Sequence, residues 1–326
     1  MKPKRNYKYE STLAVSINGL IDEKRASGYV YTSNSDVLKQ LDTFCLSINF
    51  NSEIITKELC DAWSVQQPTE CLNSRNVRIS VLRQLSKYQL SLGMDAYLPK
   101  LIQSSEKTEA HVFTADELDS FFLNLDDPKT YPRNDPRLVM ECRTLFRLYY
   151  CCGMRLSEPI ELTWDRIDYD RATIKILQSK GDKDRIIWLS DEIATMLANY
   201  RAYITKEVPE TKWVFPGINP EKHINEVTVR DYFLKAWRRT PFSDMSNPPT
   251  IKSFRHTFVV DRLNDWMENG EDMDKMLPYL SKFLGHNSIH ESLYYYHQVA
   301  ESRKIIREKD MISSKVIPEV IGYETK

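Results

Sequence analysis

Along most of the chain the apolar residues fall at intervals of three and four, the spacing that gathers side chains on one face of an α-helix, and only around 172–189 does the interval shorten to two. Such a chain is mainly helical with one small β element. Residues 11–26 carry Leu13, Val15, Ile17, Leu20 and Ile21, and residues 35–48 repeat Val37, Leu38, Leu41, Phe44, Cys45 and Ile48. Thr56 is a predicted N-cap for a third helix reaching Trp63. A fourth, over 74–92, puts Val77, Val81, Leu82, Leu85, Tyr88 and Leu92 on one arc and Arg75, Arg83 and Lys87 on another. The separation is imperfect, because Arg78 falls in the apolar arc and Ile79 and Leu90 in the basic one. The first nine residues read as a basic arm, either solvated or touching phosphates, ahead of a helical domain over 10–100. Residues 101–112 are polar and read as a linker.

The second half, 113–307, opens on Thr114 followed three residues later by Glu117, a capping-box signature for a helix through Leu123. A long buried helix is expected over 137–152, ending at Gly153, with a short one starting at Arg155. Two β-rich runs, 172–177 and 185–189, flank a polar tip containing Gly181, the pattern of a β-hairpin. Helical spacing resumes at 191–202, 227–239, 252–266, 273–284 and 289–297. Residues 308–326 form a weakly patterned C-terminal tail.

Composition narrows the function. Only 9 of 326 residues are glycine, where roughly 7% is usual, so glycine-rich phosphate loops have little to be built from. No stretch is apolar enough for a membrane span and the N-terminus lacks a secretion signal's apolar run, so a cytoplasmic, nucleoid-associated protein is expected. Cys45, Cys60, Cys71, Cys142, Cys151 and Cys152 contain no Cys-x-x-Cys pair and read as reduced core residues. The net charge of −1 divides into +2 over 1–110 and −3 over 111–326. Any surface for a polyanion must therefore be local clustering.

Four separated segments carry cations and hydroxyls at element edges: Arg155 with Glu158, Lys180 at the hairpin tip, Lys252 with Arg255 and His256, and His286 ahead of Tyr294-Tyr295-Tyr296-His297. Singly, each has an ordinary reading: a surface salt bridge, a solvated turn lysine, a capping or core histidine. Together they suit transfer of a phosphodiester to a side-chain hydroxyl, where two arginines stabilise charge on the non-bridging oxygens and a cationic acid protonates the leaving alkoxide. The set His286, His290 and His297 lacks the spacing and companions of a zinc site, so no metal or other cofactor is expected.

With these motifs the sequence resembles the tyrosine recombinases, the phage integrase family, over about residues 8–310. The resemblance is carried by Gly153-Met154-Arg155-Leu156-Ser157-Glu158 with Leu162-Thr163-Trp164-Asp165-Arg166-Ile167-Asp168, by Lys180-Gly181-Asp182-Lys183-Asp184-Arg185, by Lys252-Ser253-Phe254-Arg255-His256-Thr257-Phe258, and by Leu284-Gly285-His286 with Tyr295 and His297. It implies a mainly α fold with a small antiparallel β-hairpin or sheet (α+β), in which a helical core-binding domain joins a catalytic domain in a clamp around double-stranded DNA. Arg155 and Arg255 would clamp the scissile phosphate, Glu158 would support Arg155, and Lys180 would be the general acid. His286 would bind a phosphate oxygen and Tyr295 would be the nucleophile, forming a 3′-phosphotyrosyl link. Lys252 replaces the family's usual histidine, which leaves the proton acceptor for Tyr295 open. Arg75, Arg83 and Lys87 would face DNA. The implied assembly is a homotetramer on paired sites, monomeric or dimeric when free, with accessory or directionality proteins as further partners and the tail after Arg307 packing on a neighbouring subunit. A type IB topoisomerase-like nicking-closing enzyme and a catalytically silent DNA-binding protein with the same fold are the alternatives.

Overall fold

Residues 6–102, 110–131, 135–179 and 183–285 are described by the computed structural model, and the chain divides into two units, Met1–Thr108 and Glu109–Lys326. The first unit holds α1 (Ala14–Ala26), α2 (Thr32–Ser47), α3 (Lys57–Trp63) and α4 (Leu72–Ser91). Leu13, Ile17, Leu20, Leu38, Leu41, Leu59, Leu82 and Leu85 meet in its core, with α1, α2 and α3 each packed on α4. Thr56 caps α3 by accepting from the Leu59 amide, as the sequence predicts. Gln89 of α4 is buried with its polar atoms paired: its amide nitrogen donates to Ser16 Oγ at 2.9 Å and to the Glu53 carbonyl at 2.8 Å, and its oxygen accepts from Ile55 N at 2.9 Å.

Two expectations about this unit, and one about the cysteines of both units, need correction. Val77 and Leu92 of the predicted apolar arc of α4 are exposed, as is Val15 of α1, whereas Arg78 and Ile79 are buried. Arg78 can occupy the interior because Glu70 takes its Nε and Nη2 at 2.6 and 2.7 Å, the Trp63 and Val65 carbonyls take further donors, and its guanidinium lies 4.7 Å over the Trp63 ring. From residue 7 onward the N-terminus is neither arm nor solvated tail. The Tyr7 hydroxyl donates to Asp36 at 2.7 Å, Tyr9 is buried, and Lys39 donates to the Lys8 carbonyl at 2.7 Å, so the segment is bound to α2. Finally, four cysteines are buried but Cys71 and Cys151 are exposed. Cys71 is the N-cap of α4, and Cys151 sits about 100° around its helix from Cys152, so only one of the two can face the core.

The second unit comprises α5 (Ala115–Asp126), α6 (Pro136–Cys152), α7 (Ser157–Ile160), β1 (Ile167–Asp168), β2 (Thr173–Ser179), β3 (Lys183–Trp188), α8 (Asp191–Glu207), α9 (Glu226–Trp237), α10 (Ile251–Glu268) and α11 (Met273–Leu284). The capping box forms as expected, with Thr114 Oγ1 accepting from Glu117 N and Glu117 Oε2 from Thr114 N at 2.8 Å. α6 is the central element, touching α8, α9 and α10. Around it the rings of Phe113, Phe121, Phe146, Phe233 and Phe254 interlock, with Phe254 stacked 4.9 Å from Phe113 and edge-on to Phe121 at 5.2 Å. α8 runs five residues past its predicted end because Ile204 continues the buried stripe of Leu197 and Tyr200. The predicted hairpin is part of a three-stranded antiparallel sheet, β1-β2-β3, in which Ile174 faces Ile187 and Ile176 faces Arg185. β1 adds a third strand, pairing Ile167 with Ile174. Among the described residues no helix is long and apolar enough to cross a membrane, and no group of three His, Cys, Asp or Glu is placed to hold a metal ion.

Candidate active site

Helix α6 stops where Gly153 turns left-handed at φ 56°. The turn sends the chain under α10: a Cβ at Gly153 would lie 2.6 Å from the Phe258 ring. The next residues form a loop pinned by Tyr149, whose hydroxyl donates to the Leu156 carbonyl at 2.6 Å. That loop presents Arg155, and α7 behind it presents Glu158, which is buried.

Glu158 is shared. Its Oε1 accepts from Arg155 Nη1 at 3.0 Å and from Arg185 Nη1 at 2.7 Å; its Oε2 accepts from the Arg155 amide at 2.7 Å and from Arg185 Nη2 at 2.6 Å. The ion pair expected between Arg155 and Glu158 therefore exists, but the tighter two-point pair belongs to Arg185. Burial by itself pushes the Glu158 carboxyl up; the Arg185 hydrogen bonds and charge, the Arg155 amide and the Arg255 charge outweigh it and hold the group down at about 2.

The C-terminus of α11 completes the arrangement. Gly285 takes the left-handed cap position at φ 66°, and a Cβ there would come within 3.2 to 3.3 Å of the Arg155 and Arg185 side chains. Three successive carbonyls at this end are taken by three guanidiniums: Phe283 by Arg185 Nε at 2.7 Å, Leu284 by Arg255 Nη2 at 2.8 Å, and Gly285 by Arg155 Nη2. Arg255 also donates to the Gly153 carbonyl at 2.7 Å, two residues before Arg155. A helix C-terminus is the negative end of its dipole, so cations there are favourable. Among the described residues, three arginines thus gather around the one carboxylate of Glu158 in a largely buried setting. The Arg185 side chain is 5% exposed and the Arg155 side chain 23%. Of these two, Arg155 is the one that meets solvent.

Lys252 lies on α10 one turn before Arg255 and is exposed. Next to Arg255, His256 has its pKa depressed to about 4 by burial and by the charges of Arg255 and Lys252, so it is neutral near pH 7. The structure thus brings together Arg155, Glu158 and Arg255 and sets Lys252 on the same helix as Arg255. Lys180, His286 and Tyr295 lie outside the described residues. In the first unit Lys87 is exposed, whereas Arg75 Nε donates to the Ser64 carbonyl at 2.6 Å and Arg83 to the Pro99 carbonyl, so both spend a donor on their own unit's backbone.

Arg185 is the site residue the sequence motifs quoted without a role. A signal existed: it shares strand parity with Ile187, and a core-facing Ile187 makes Arg185 core-facing too. A buried arginine requires acceptors for its donors, a carboxylate or backbone carbonyls.

Comparison with known proteins identifies the family. The family model described as the phage integrase family matches residues 112–302, more than half of the chain. The chain belongs to the phage integrase family. The integrase/recombinase y4eF of Sinorhizobium fredii is 32% identical over 146 residues, 45% of this chain and 52% of that protein, so the match spans about half the length of that relative. The tyrosine recombinase XerD of Staphylococcus epidermidis is 25% identical over 226 residues, 67% of this chain and 70% of its own. Among solved structures, the Tn1549 transposon integrase in complex with transposon right end DNA superposes with a TM-score of 0.64 at 14% identity, covering 90% of this chain and 99% of that one. At that identity the likeness is one of fold, and it fits the mainly α phage integrase architecture with its small antiparallel sheet.

Proposed function

We propose that this chain is a site-specific DNA recombinase that cuts and rejoins strands through a phosphotyrosyl intermediate. The observation that carries the reading is the convergence of Arg155, Arg185 and Arg255 with Glu158 on the end of α11, which gathers guanidinium donors where a phosphodiester would meet Arg155. In this reading Arg155 and Arg255 stabilise the charge that grows on the non-bridging oxygens as phosphorus becomes five-coordinate. A preorganised donor of this kind is typically worth roughly 10²–10³ in rate. Tyr295 gives up its phenolic proton to solvent and attacks phosphorus as the phenolate, the bond to the 5′ oxygen breaks, and Lys180 gives that oxygen its proton, leaving a 3′-phosphotyrosyl ester and a free 5′-hydroxyl. Attack by a partner strand's 5′-hydroxyl reverses the step. One ester is exchanged for another, so the chemistry needs no nucleotide hydrolysis or cofactor. Strand exchange joins two duplexes, so the working assembly is a homotetramer on paired sites, with Arg75, Arg83 and Lys87 of the first unit on the DNA side.

The test is covalent capture. Nicked duplexes made from the chromosomal DNA flanking the gene are incubated with the full chain, and SDS-resistant adducts are recovered and sequenced. Wild type should capture one recurring sequence, Tyr295→Phe none, and Arg155→Ala at least ~10²-fold less while still binding the duplex. Equal recovery from wild type and Tyr295→Phe would identify a silent DNA-binding protein. Capture with no recurring sequence, together with relaxation of supercoiled plasmid, would identify a topoisomerase-like enzyme.

A further inference from the structure

Glu158 stands between two arginines but does not treat them alike. Arg185 approaches both of its oxygens at 2.6–2.7 Å in a two-point pair, whereas the Arg155 side chain has a single contact at 3.0 Å, the other Arg155 contact being the backbone amide. The Arg185 pair is the deeper one, with 5% of its side chain exposed against 23% for Arg155. Arg185 is fixed independently of Glu158 as well, since its Nε is spent on the Phe283 carbonyl. A planar guanidinium can serve a carboxylate and a carbonyl at once in this way; an ammonium cannot reproduce that fork.

We infer that Arg185 is a positioning residue that absorbs the charge of Glu158 and thereby keeps the Arg155 guanidinium aimed and electrostatically available for a phosphate. The inference rests on the reading of Arg155 as a phosphate clamp. Without Arg185, the same carboxylate has Arg155 as its nearest cation, pairs with it on two points and cancels its charge. Arg185 also ties β3 to α11, so one side chain holds the hairpin, the Arg155 loop through Glu158, and the helix end on which Arg155 and Arg255 both bind. Arg185 itself meets no substrate in this account.

A double-mutant cycle tests this, because it predicts a reversal of sign that a merely structural role does not. The full chain is prepared as wild type, Arg185→Met, Arg185→Lys, Glu158→Gln and the double variant Arg185→Met/Glu158→Gln, with folding checked by circular dichroism. Covalent adduct formation is followed in single turnover on the duplex that wild type captures, at saturating DNA. Arg185→Met should slow adduct formation by roughly 10-fold or more, with DNA affinity within about 3-fold of wild type. Arg185→Lys should fall between the two. The double variant should be faster than Arg185→Met, because removing the carboxylate releases Arg155. A double variant as slow as or slower than Arg185→Met, or an Arg185→Met rate equal to wild type, overturns the inference while leaving the recombinase reading intact. If wild type forms no adduct with any duplex, that reading fails and this inference falls with it.

Discussion

Glu158 is the residue on which the electrostatics of the site turn. Its carboxyl sits at about 2, well below the ordinary 4.5, so folding favours the charged form. The stability this contributes is fully present above about pH 4.5 and is lost as the pH falls toward 2. A shift of that size corresponds to roughly 3 kcal/mol, at ~1.4 kcal/mol per pKa unit. Glu158→Gln should therefore cost about that much at pH 7, since it leaves Arg185 buried without its counter-charge. The gap from wild type in urea-unfolding free energy should close as the pH is lowered from 5 to 2; a gap that stays constant would mean that Glu158 owes its effect to shape rather than charge. Arg155, Glu158 and Arg255 were legible in the sequence because each stands in a short motif whose chemistry explains its residue types. Arg185 was not, because Ile186 and Trp188 on one side of β3 are as apolar as Ile187 on the other. Burial distinguishes the faces, with Ile187 in the core and Ile186 and Trp188 exposed, and a period-two pattern that is apolar on both faces does not say which one looks inward.

At the scale of elements, the site depends on two helix ends that must turn left-handed. Gly153 and Gly285 have φ of 56° and 66°, and both are crowded where a Cβ would stand. By contrast, a Cβ on Gly270, which follows α10 at φ 73°, would meet no described atom within 4 Å. Gly153 and Gly270 thus make a controlled comparison. Gly270→Ala should carry only the backbone penalty, about 1 kcal/mol, whereas Gly153→Ala should add a clash with Phe258 and lose a further ~1–3 kcal/mol. Thermal melts of the two variants should separate accordingly; equal losses would show that α10 yields freely under the loop. Within the described residues, which leave out the helix expected over 289–297, helix existence was read correctly from periodicity, because a buried face repeats whatever the partner is. The arc of α4 that carries Val81, Leu82 and Leu85 does face inward; what the pattern could not assign was that Arg78 is buried with it while Val77 and Leu92 are exposed. That depends on Glu70 and on the Trp63 and Val65 carbonyls receiving Arg78, and hydrophobicity alone does not register such partners. The same reasoning applies to residues 7–9, whose basic and aromatic composition suggested a tail but whose tyrosines bind α2.

For the molecule as a whole, the proposed partner is a dense polyanion and the net charge is −1. Attraction must then arise from where cations stand rather than from how many there are. Arg155, Arg185 and Arg255 concentrate charge at one point of the second unit, and Lys87 marks an exposed cation on the first. Each phosphate neutralised releases condensed counterions, so the logarithm of affinity should fall linearly with the logarithm of salt, with a slope of about −0.9 per phosphate contacted. A duplex held by both units should give a slope of roughly −5 or steeper. Lys87→Ala should make the slope shallower by about 1 and weaken binding alike on all sequences, as expected for a phosphate contact without base readout. Arg185→Met should make the slope shallower by no more than about 1, since the Glu158 charge it releases then falls on Arg155 alone. Fluorescence anisotropy with the captured duplex between about 50 and 300 mM salt, a range of concentrations set by the steepness of the counterion effect, measures all three. A flat response in wild type would remove the extended phosphate surface, and with it the view that a nearly neutral chain grips DNA by local geometry alone.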